Sequence, residues 1–410
     1  MVPQSPSMRE RRRLRIRGIV QGVGFRPFVY EQALRCGLAG YVRNDSAGVT
    51  IEIEGERQAL DMFQVMLMAQ PPPLARIDAL AVERLPLSGE TAFAIAASVD
   101  GAARSALVTP DSATCEACRY ELFNPADRRF RYPFINCTNC GPRFTIIEDI
   151  PYDRARTTMR SFAMCSACLR EYKDPLDRRF HAQPNACPAC GPQVCLIGQD
   201  GRRTAGDEAI RLAADRLAAG AILAIKGLGG YHLACDACNS AAVERLRLAK
   251  RREARPFAMM APDTATVERI CLLRPDERAL LESHRRPIVL LQRRPDSPVA
   301  LGVAPGMATL GVMLPYTPVH HLLLAALAEG RVSDVPPVLV MTSGNLSEEP
   351  IVIHDDDALS RLLPLADGVL THNRAIHVRC DDSVVRYVAG GEQLNPARAW
   401  LCSRADRTRA

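Results

Sequence analysis

The chain has 410 residues, 47% of them hydrophobic and 24% charged, with a formal net charge of +6. That length suffices for several domains with separate cores, and the composition is that of ordinary soluble protein. No apolar run approaches the eighteen or so residues of a membrane span, and the basic stretch 1–17 lacks the apolar segment of a secretory signal, so the paired cysteines among the fifteen present read as metal ligands in a reducing cytoplasm rather than as disulfides.

In chain order, residues 14–20 alternate apolar and polar side chains, as a half-buried strand does. The arginines from Arg9 to Arg17 fit one solvated face of that strand better than an RNA-binding arm. The turn Gln21-Gly22-Val23-Gly24-Phe25-Arg26-Pro27 follows, then a helical pattern over 28–35 closed by Cys36-Gly37. A glycine-bearing turn between strand and helix aims backbone N–H groups at an anion, and Arg26 adds a planar fork for phosphate oxygens. Strands at 38–43 and 49–54, a helix over 56–69 and strands at 77–84 and 92–98 complete a βαββαβ order, a ferredoxin-like sandwich.

Next comes a fifty-residue repeat. Cys115, Cys118, Cys137 and Cys140 recur as Cys165, Cys168, Cys187 and Cys190, and the run from Pro125 to Phe130 recurs from Pro175 to Phe180. Each C-x2-C turn supplies two thiolates, so two turns complete a tetrahedral zinc site and eight cysteines make two structural sites. Pairing within each half and pairing across halves are both compatible with the spacing. The intervening segments are poor in apolar residues, so metal binding supplies most of their folding free energy, about 10 kcal/mol per site. Arginines between the ligands are expected to offset thiolate charge or to lie in solvent. His181 stands where the first half has Arg131 and is expected at the surface rather than on a metal. Cys235 and Cys238 lack a second pair and are expected to be buried or incidental thiols.

From residue 207 the pattern becomes mixed α/β: helices over 207–219 and 240–250, and strands at 221–226, 257–261, 288–292, 337–342 and 368–371. Lys250 and Arg252 at a helix end, with Ser343 and Asn345 in a small polar turn after a strand, form a believable nucleotide pocket.

The string from Gly18 to Arg26, with Gly40-Tyr41-Val42-Arg43-Asn44 downstream, resembles the acylphosphatase family. The resemblance implies that the loop Gln21, Gly22, Val23, Gly24 and Phe25 with Arg26 holds a phosphate and that Asn44 orients the attacking water. Lys250-x-Arg252 with Ser343-x-Asn345 resembles the YrdC/Sua5 family, which makes carbamoyl-type adenylates from ATP. With the strings 226–236, 314–323 and 379–386, which include His232, His320 and His321, the whole order is similar to the HypF carbamoyltransferases of [NiFe]-hydrogenase maturation. Those three histidines either line a pocket or are simply packed.

The fold class expected is therefore an α+β multidomain chain: a ferredoxin-like acylphosphatase sandwich (11–99), a duplicated four-cysteine zinc unit (108–195) that could hold its neighbours together, a mixed α/β YrdC/Sua5-like domain (203–394) and an irregular tail (395–410). The resemblance implies hydrolysis of carbamoyl phosphate, formation of carbamoyl-AMP from ATP with Mg, and transfer to the C-terminal cysteine of a HypE-like partner. That last step needs a Kae1-like domain into which relatives continue; here the sequence stops at Ala410, as a natural short form, a fragment or a frameshifted end. Membrane association and specific nucleic-acid binding are not expected. The competing readings are a threonylcarbamoyl-AMP synthase of RNA modification and an inactive zinc scaffold.

Overall fold

The computed structural model describes residues 9–99, 106–330, 336–346, 349–388 and 390–394; the expected tail at 395–410 lies outside them. The chain divides into two compact units, one of residues 1–110 with 136–185 and one of residues 111–135 with 186–410.

In the first unit, β1 (Arg9–Ile19), β2 (Ala39–Asp45), β3 (Gly48–Glu56), β4 (Arg76–Leu85) and β5 (Phe93–Ile95) form one sheet in the order β4-β1-β3-β2-β5. Helices α1 (Phe25–Arg35) and α2 (Arg57–Ala69) supply Val29, Ala33, Leu60, Phe63 and Leu67 to a core shared with Leu14, Ile16, Ile51 and Ile53. This is the expected ferredoxin-like sandwich, with β5 shorter than its sequence pattern. The arginines of β1 follow the strand's alternation. Arg13 lies opposite Glu52 across the β1–β3 ladder and bonds it at 2.8 Å, while Arg11 reaches the same carboxylate at 2.5 Å. Arg12 points to the covered face and meets Asp61 at 2.7 Å. The run is thus a strand with paired charges.

Helix α1 begins three residues before the expected Phe28. Pro27 falls in its first turn, where the missing N–H has no helical partner to lose. Arg26 is thereby fixed on the first turn itself.

The second unit is built on a twelve-stranded mixed sheet. Its strands are β6 (Val194–Gly198), β7 (Arg203–Ala205), β8 (Leu223–Lys226), β9 (Tyr231–Asp236), β10 (Ala258–Met260), β11 (Cys271–Leu272), β12 (Ile288–Arg293), β13 (Thr309–Met313), β14 (Leu339–Ser343), β15 (Gly368–His372), β16 (Val384–Val388) and β17 (Gly391–Leu394). The path runs β17-β16-β12-β13-β10-β14-β9-β8-β15-β6-β7, with β11 on β12. The helix Ser240–Lys250 ends where Arg251 takes a left-handed turn (φ 49°), which brings Lys250 and Arg252 to one side of the end of β14. The core runs from Tyr231, Leu233 and Cys235 through Val289, Val312 and Val340. Cys235 is fully buried on β9, and burial pushes its thiol up to about 12, as fits a packed thiol rather than a ligand.

Candidate active sites and metal centres

The eight repeated cysteines gather as two groups, Cys115/Cys118/Cys137/Cys140 and Cys165/Cys168/Cys187/Cys190, each with its sulfurs within 4.8 Å of one another. Pairing is therefore within each half. Four sulfurs at about 2.3 Å from zinc lie about 3.8 Å apart along a tetrahedron edge. The Cys137–Cys140 and Cys187–Cys190 sulfurs are each 3.8 Å apart, and all eight thiols are free of disulfides. The donor set fits zinc, and four sulfurs complete its shell, so the role is structural. The repeat extends to the supports of each site. Cys115 and Cys165 precede the short helices Glu116–Phe123 and Ser166–Lys173, and Asp127 and Asp177 accept from the N–H groups of Arg129 and Arg179 at 2.7 and 2.8 Å. Those two arginines are buried rather than solvated. Arg129 Nε donates to the Ala186 carbonyl at 2.8 Å and Arg179 Nε to the Asn136 carbonyl at 3.2 Å, two acceptors fifty residues apart. Cys137→Ser should lower bound zinc from two atoms per chain to about one by elemental analysis, and remove no more.

In the first unit, the turn between β1 and α1 holds its shape through Gln21. Its amide donates to the carbonyls of Asp45 and Gly48, both at 2.7 Å, and accepts from the Tyr152 N–H at 2.9 Å. Val23 and Phe25 bury their side chains in the core, leaving the loop's backbone for a ligand. Gly24 sits before the helix at φ 74°, a conformation costly for any residue with a Cβ. Arg26 and Asn44, both buried, line one pocket and converge on the Tyr152 carbonyl, at 3.4 and 3.5 Å. The Arg26 fork also meets Asp153 at 2.9 Å, so a phosphate arriving there competes with a carboxylate.

The far wall comes from two segments, one following Cys137 and one following Cys168. Thr138, Arg143, Tyr152, His181 and Gln183 complete the pocket. His181 is therefore not a surface residue: burial and then the Arg26 charge push it down to about 4. Arg143 donates to five carbonyls: Gly22 at 2.6 Å, Pro142 at 2.8 Å, Thr138 at 2.9 Å, and Cys137 and Cys140 at 3.1 Å each. None of Arg143, Tyr152, Asp153 or His181 stands out as a site residue in the sequence; the second half has Gln193 where the first has Arg143. Arg143→Met should cost the first unit about 3 kcal/mol in denaturant unfolding, since charged donors to carbonyls are lost in a buried site.

In the second unit, the four expected residues meet. Lys250 Nζ donates to the Ser343 and Asn345 carbonyls at 2.6 and 2.7 Å and to Asn345 Oδ1 at 3.1 Å; Arg252 reaches Thr342 Oγ1 at 3.0 Å; Ser343 Oγ donates to Asn345 Oδ1 at 2.9 Å. Glycine is needed between them, because a Cβ on Gly344 would lie 2.6 Å from the Tyr231 carbonyl. A second polar cluster adjoins the same strands. Lys226, buried, donates to Asp355 at 2.5 Å and to the His372 carbonyl at 2.9 Å, and Tyr231 donates to Asp355 at 2.6 Å; burial pushes the lysine down despite its carboxylate. His232 Nε2 meets Asp382 at 2.9 Å. His320 is packed edge-on against Tyr316 with both ring nitrogens unpaired, and burial, followed by His232, pushes it down to about 3.

A histidine depressed in the folded state stabilises above its unfolded value near 6.5 and loses that contribution as pH falls toward 3. Between pH 7 and 5 the loss for His320 is about 2 kcal/mol, at about 1.4 kcal/mol per unit. His320→Leu should flatten the fall in urea midpoint over that interval relative to the unchanged chain; acid loss of zinc is common to both proteins and cancels.

Three family models match the chain: Acylphosphatase over 12–95, HypF finger over 114–147 and 164–197, and Telomere recombination, the Sua5/YciO/YrdC model, over 215–398. The chain is 52% identical over 384 residues to carbamoyltransferase HypF2 of Cupriavidus necator, covering 91% of this chain and 48% of that protein. It is 54% identical over 379 residues to carbamoyltransferase HypF of Rhodobacter capsulatus, again 91% and 48%. A crystal structure of full-length HypF in the phosphate- and nucleotide-bound form superposes with a TM-score of 0.89 at 47% identity, over 96% of this chain and 50% of that one. The chain spans about half the length of the curated relatives it matches. No helix among the described residues is long and apolar enough to cross a membrane.

Proposed function

Since the chain belongs to the HypF carbamoyltransferase family, we propose that it works in [NiFe]-hydrogenase maturation in the cytoplasm, cleaving carbamoyl phosphate and converting the product to carbamoyl-AMP. The convergence of Arg26 and Asn44 on one carbonyl, beside the first turn of α1, supports this reading most directly. A phosphoryl group bound in place of that contact receives the Arg26 fork and the loop amides, while Asn44 holds a water. The water oxygen bonds to phosphorus and the bridging P–O bond breaks, its electron pair leaving with carbamate. Phosphate departs, and the proton of water passes to the products or to solvent.

Carbamate then attacks the α-phosphorus of ATP, which enters with Mg, and pyrophosphate leaves. In this step Lys250 and Arg252 hold phosphates or the carbamoyl group, and Ser343 and Asn345 hold the nucleotide. Lys250 is already desolvated, so exchanging carbonyl partners for an anionic ligand strengthens its interactions. The working division is 11–99 for hydrolysis, 108–195 for the two zinc sites and 203–394 for adenylation. Transfer to the C-terminal cysteine of a HypE-like protein is assigned to sequence of the relatives that this chain does not match.

Purified chain with carbamoyl phosphate should release phosphate, and Arg26→Ala should cut kcat/KM by about a thousandfold. With ATP present, carbamoyl phosphate should drive exchange of labelled pyrophosphate into ATP, and Lys250→Ala should abolish exchange while sparing phosphate release. Exchange driven by threonine and bicarbonate instead would identify a threonylcarbamoyl-AMP synthase; no turnover with either would identify a scaffold.

A further inference from the structure

The two halves of the cysteine repeat keep one unusual turn and change its side chain. Arg131 and His181 both take φ 53°, and their N–H groups donate to Leu122 and Tyr172 at 2.8 and 3.0 Å. A left-handed conformation at a non-glycine residue costs about 1–2 kcal/mol, and the duplicated frame accepts that cost twice. Arg131 uses its position for an ion pair with Asp207 at 2.7 Å. His181 lines the pocket of Arg26 and Asn44, its imidazole held against the rings of Tyr172 and Phe180 at 4.9 and 4.7 Å.

Among the buried polar atoms of this pocket, Asn44 Oδ1 and His181 Nδ1 lack a hydrogen-bond partner. A buried polar atom left unpaired costs about 1–3 kcal/mol, which a ligand recovers by pairing with it. With Asn44 placed to hold the attacking water, His181 Nδ1 remains for the substrate. The ring is neutral near pH 7, because burial and Arg26 disfavour its cation. In the tautomer protonated on Nε2, Nδ1 is a pure acceptor. An acyl phosphate gives such an acceptor something to bind only when its acyl end carries an N–H or O–H donor, as the carbamoyl group does and the acetyl group does not.

Resting on the hydrolytic reading of this pocket, we propose that His181 is a specificity-determining residue: its Nδ1 accepts a hydrogen bond from the amino group of the acyl end, selecting an acyl phosphate that ends in an amide over the isosteric one that ends in a methyl. Thr138, Tyr152 and His181 line the pocket beside the acyl end, and Arg26 serves the phosphate of either acyl phosphate equally.

The test compares kcat/KM for carbamoyl phosphate and acetyl phosphate in the unchanged full chain, in His181→Phe and in His181→Asn. Phenylalanine keeps a ring and removes the acceptor; asparagine keeps an acceptor and tolerates the left-handed turn. The ratio of carbamoyl to acetyl phosphate should fall about tenfold in His181→Phe, the worth of one hydrogen bond, with acetyl phosphate changed less than about twofold and two zinc atoms retained. His181→Asn should recover most of the ratio. An equal fall on both acyl phosphates, an unchanged ratio in His181→Phe, or a His181→Asn ratio no better than that of His181→Phe overturns the assignment while leaving the hydrolytic reading intact. Failure of the unchanged chain to cleave carbamoyl phosphate defeats both.

Discussion

The pocket of Arg26 and Asn44 depends on one guanidinium. Arg143 lies two residues beyond the Gly141 that follows a metal-ligand turn, and its three nitrogens reach the Cys137, Thr138 and Cys140 carbonyls of that turn and the carbonyl of Gly22 in the loop between β1 and α1. A buried arginine is tolerated only when its donors are met. Here they are met by backbone carbonyls, which fixes main chain against main chain. The loop between β1 and α1 is therefore held by a segment more than a hundred residues away. Gln21 and Thr109 tie the same loop from its other side. Arg26 and Asn44 can then converge because the backbone beneath them has no freedom to drift.

The parts of the molecule legible in the sequence are those set by local pattern. The alternation in β1, the amphipathic helix ending at Lys250 and the cysteine frame each carry their own period, and the structure keeps them. The strand Tyr231–Asp236 escapes such a reading: after the glycine-rich loop it shows six residues with no polar alternation, since it is buried on both faces. Helix α1 starts early for a reason that composition hides, the tolerance of a first turn for proline. The arginines of the repeat mislead because charge suggests solvent or thiolates. Only coordinates show Arg129 and Arg179 bonded to carbonyls. His181 invites the question of whether it binds metal, and nothing in its sequence context signals that its loop faces the pocket of Arg26.

The two polar centres differ in how their charges are partnered. In the cluster around Lys250 and Lys226 the cations are already occupied, Lys250 by carbonyls and Lys226 by Asp355, and His320 is held neutral by burial. A nucleotide there replaces partners without asking the protein to desolvate new charge. Around Arg26 the partner is a carboxylate, Asp153, that shares the anion's sign. An anion that binds Arg26 there must displace a carboxylate of the chain itself.

The tie from Gly22 to Arg143 also bears on how such a chain comes off the ribosome. The sandwich of β1 to β5 is complete in sequence well before residue 137 is made, and at about 5–20 residues per second it has seconds in which to collapse. During that interval its anion loop lacks the clamp. Maturation of the pocket waits for a downstream turn and for the metal that shapes it. Newly made chains in a zinc-poor cell should therefore accumulate with a folded sandwich and an unset loop, a state that differs from the finished one in chemistry more than in shape.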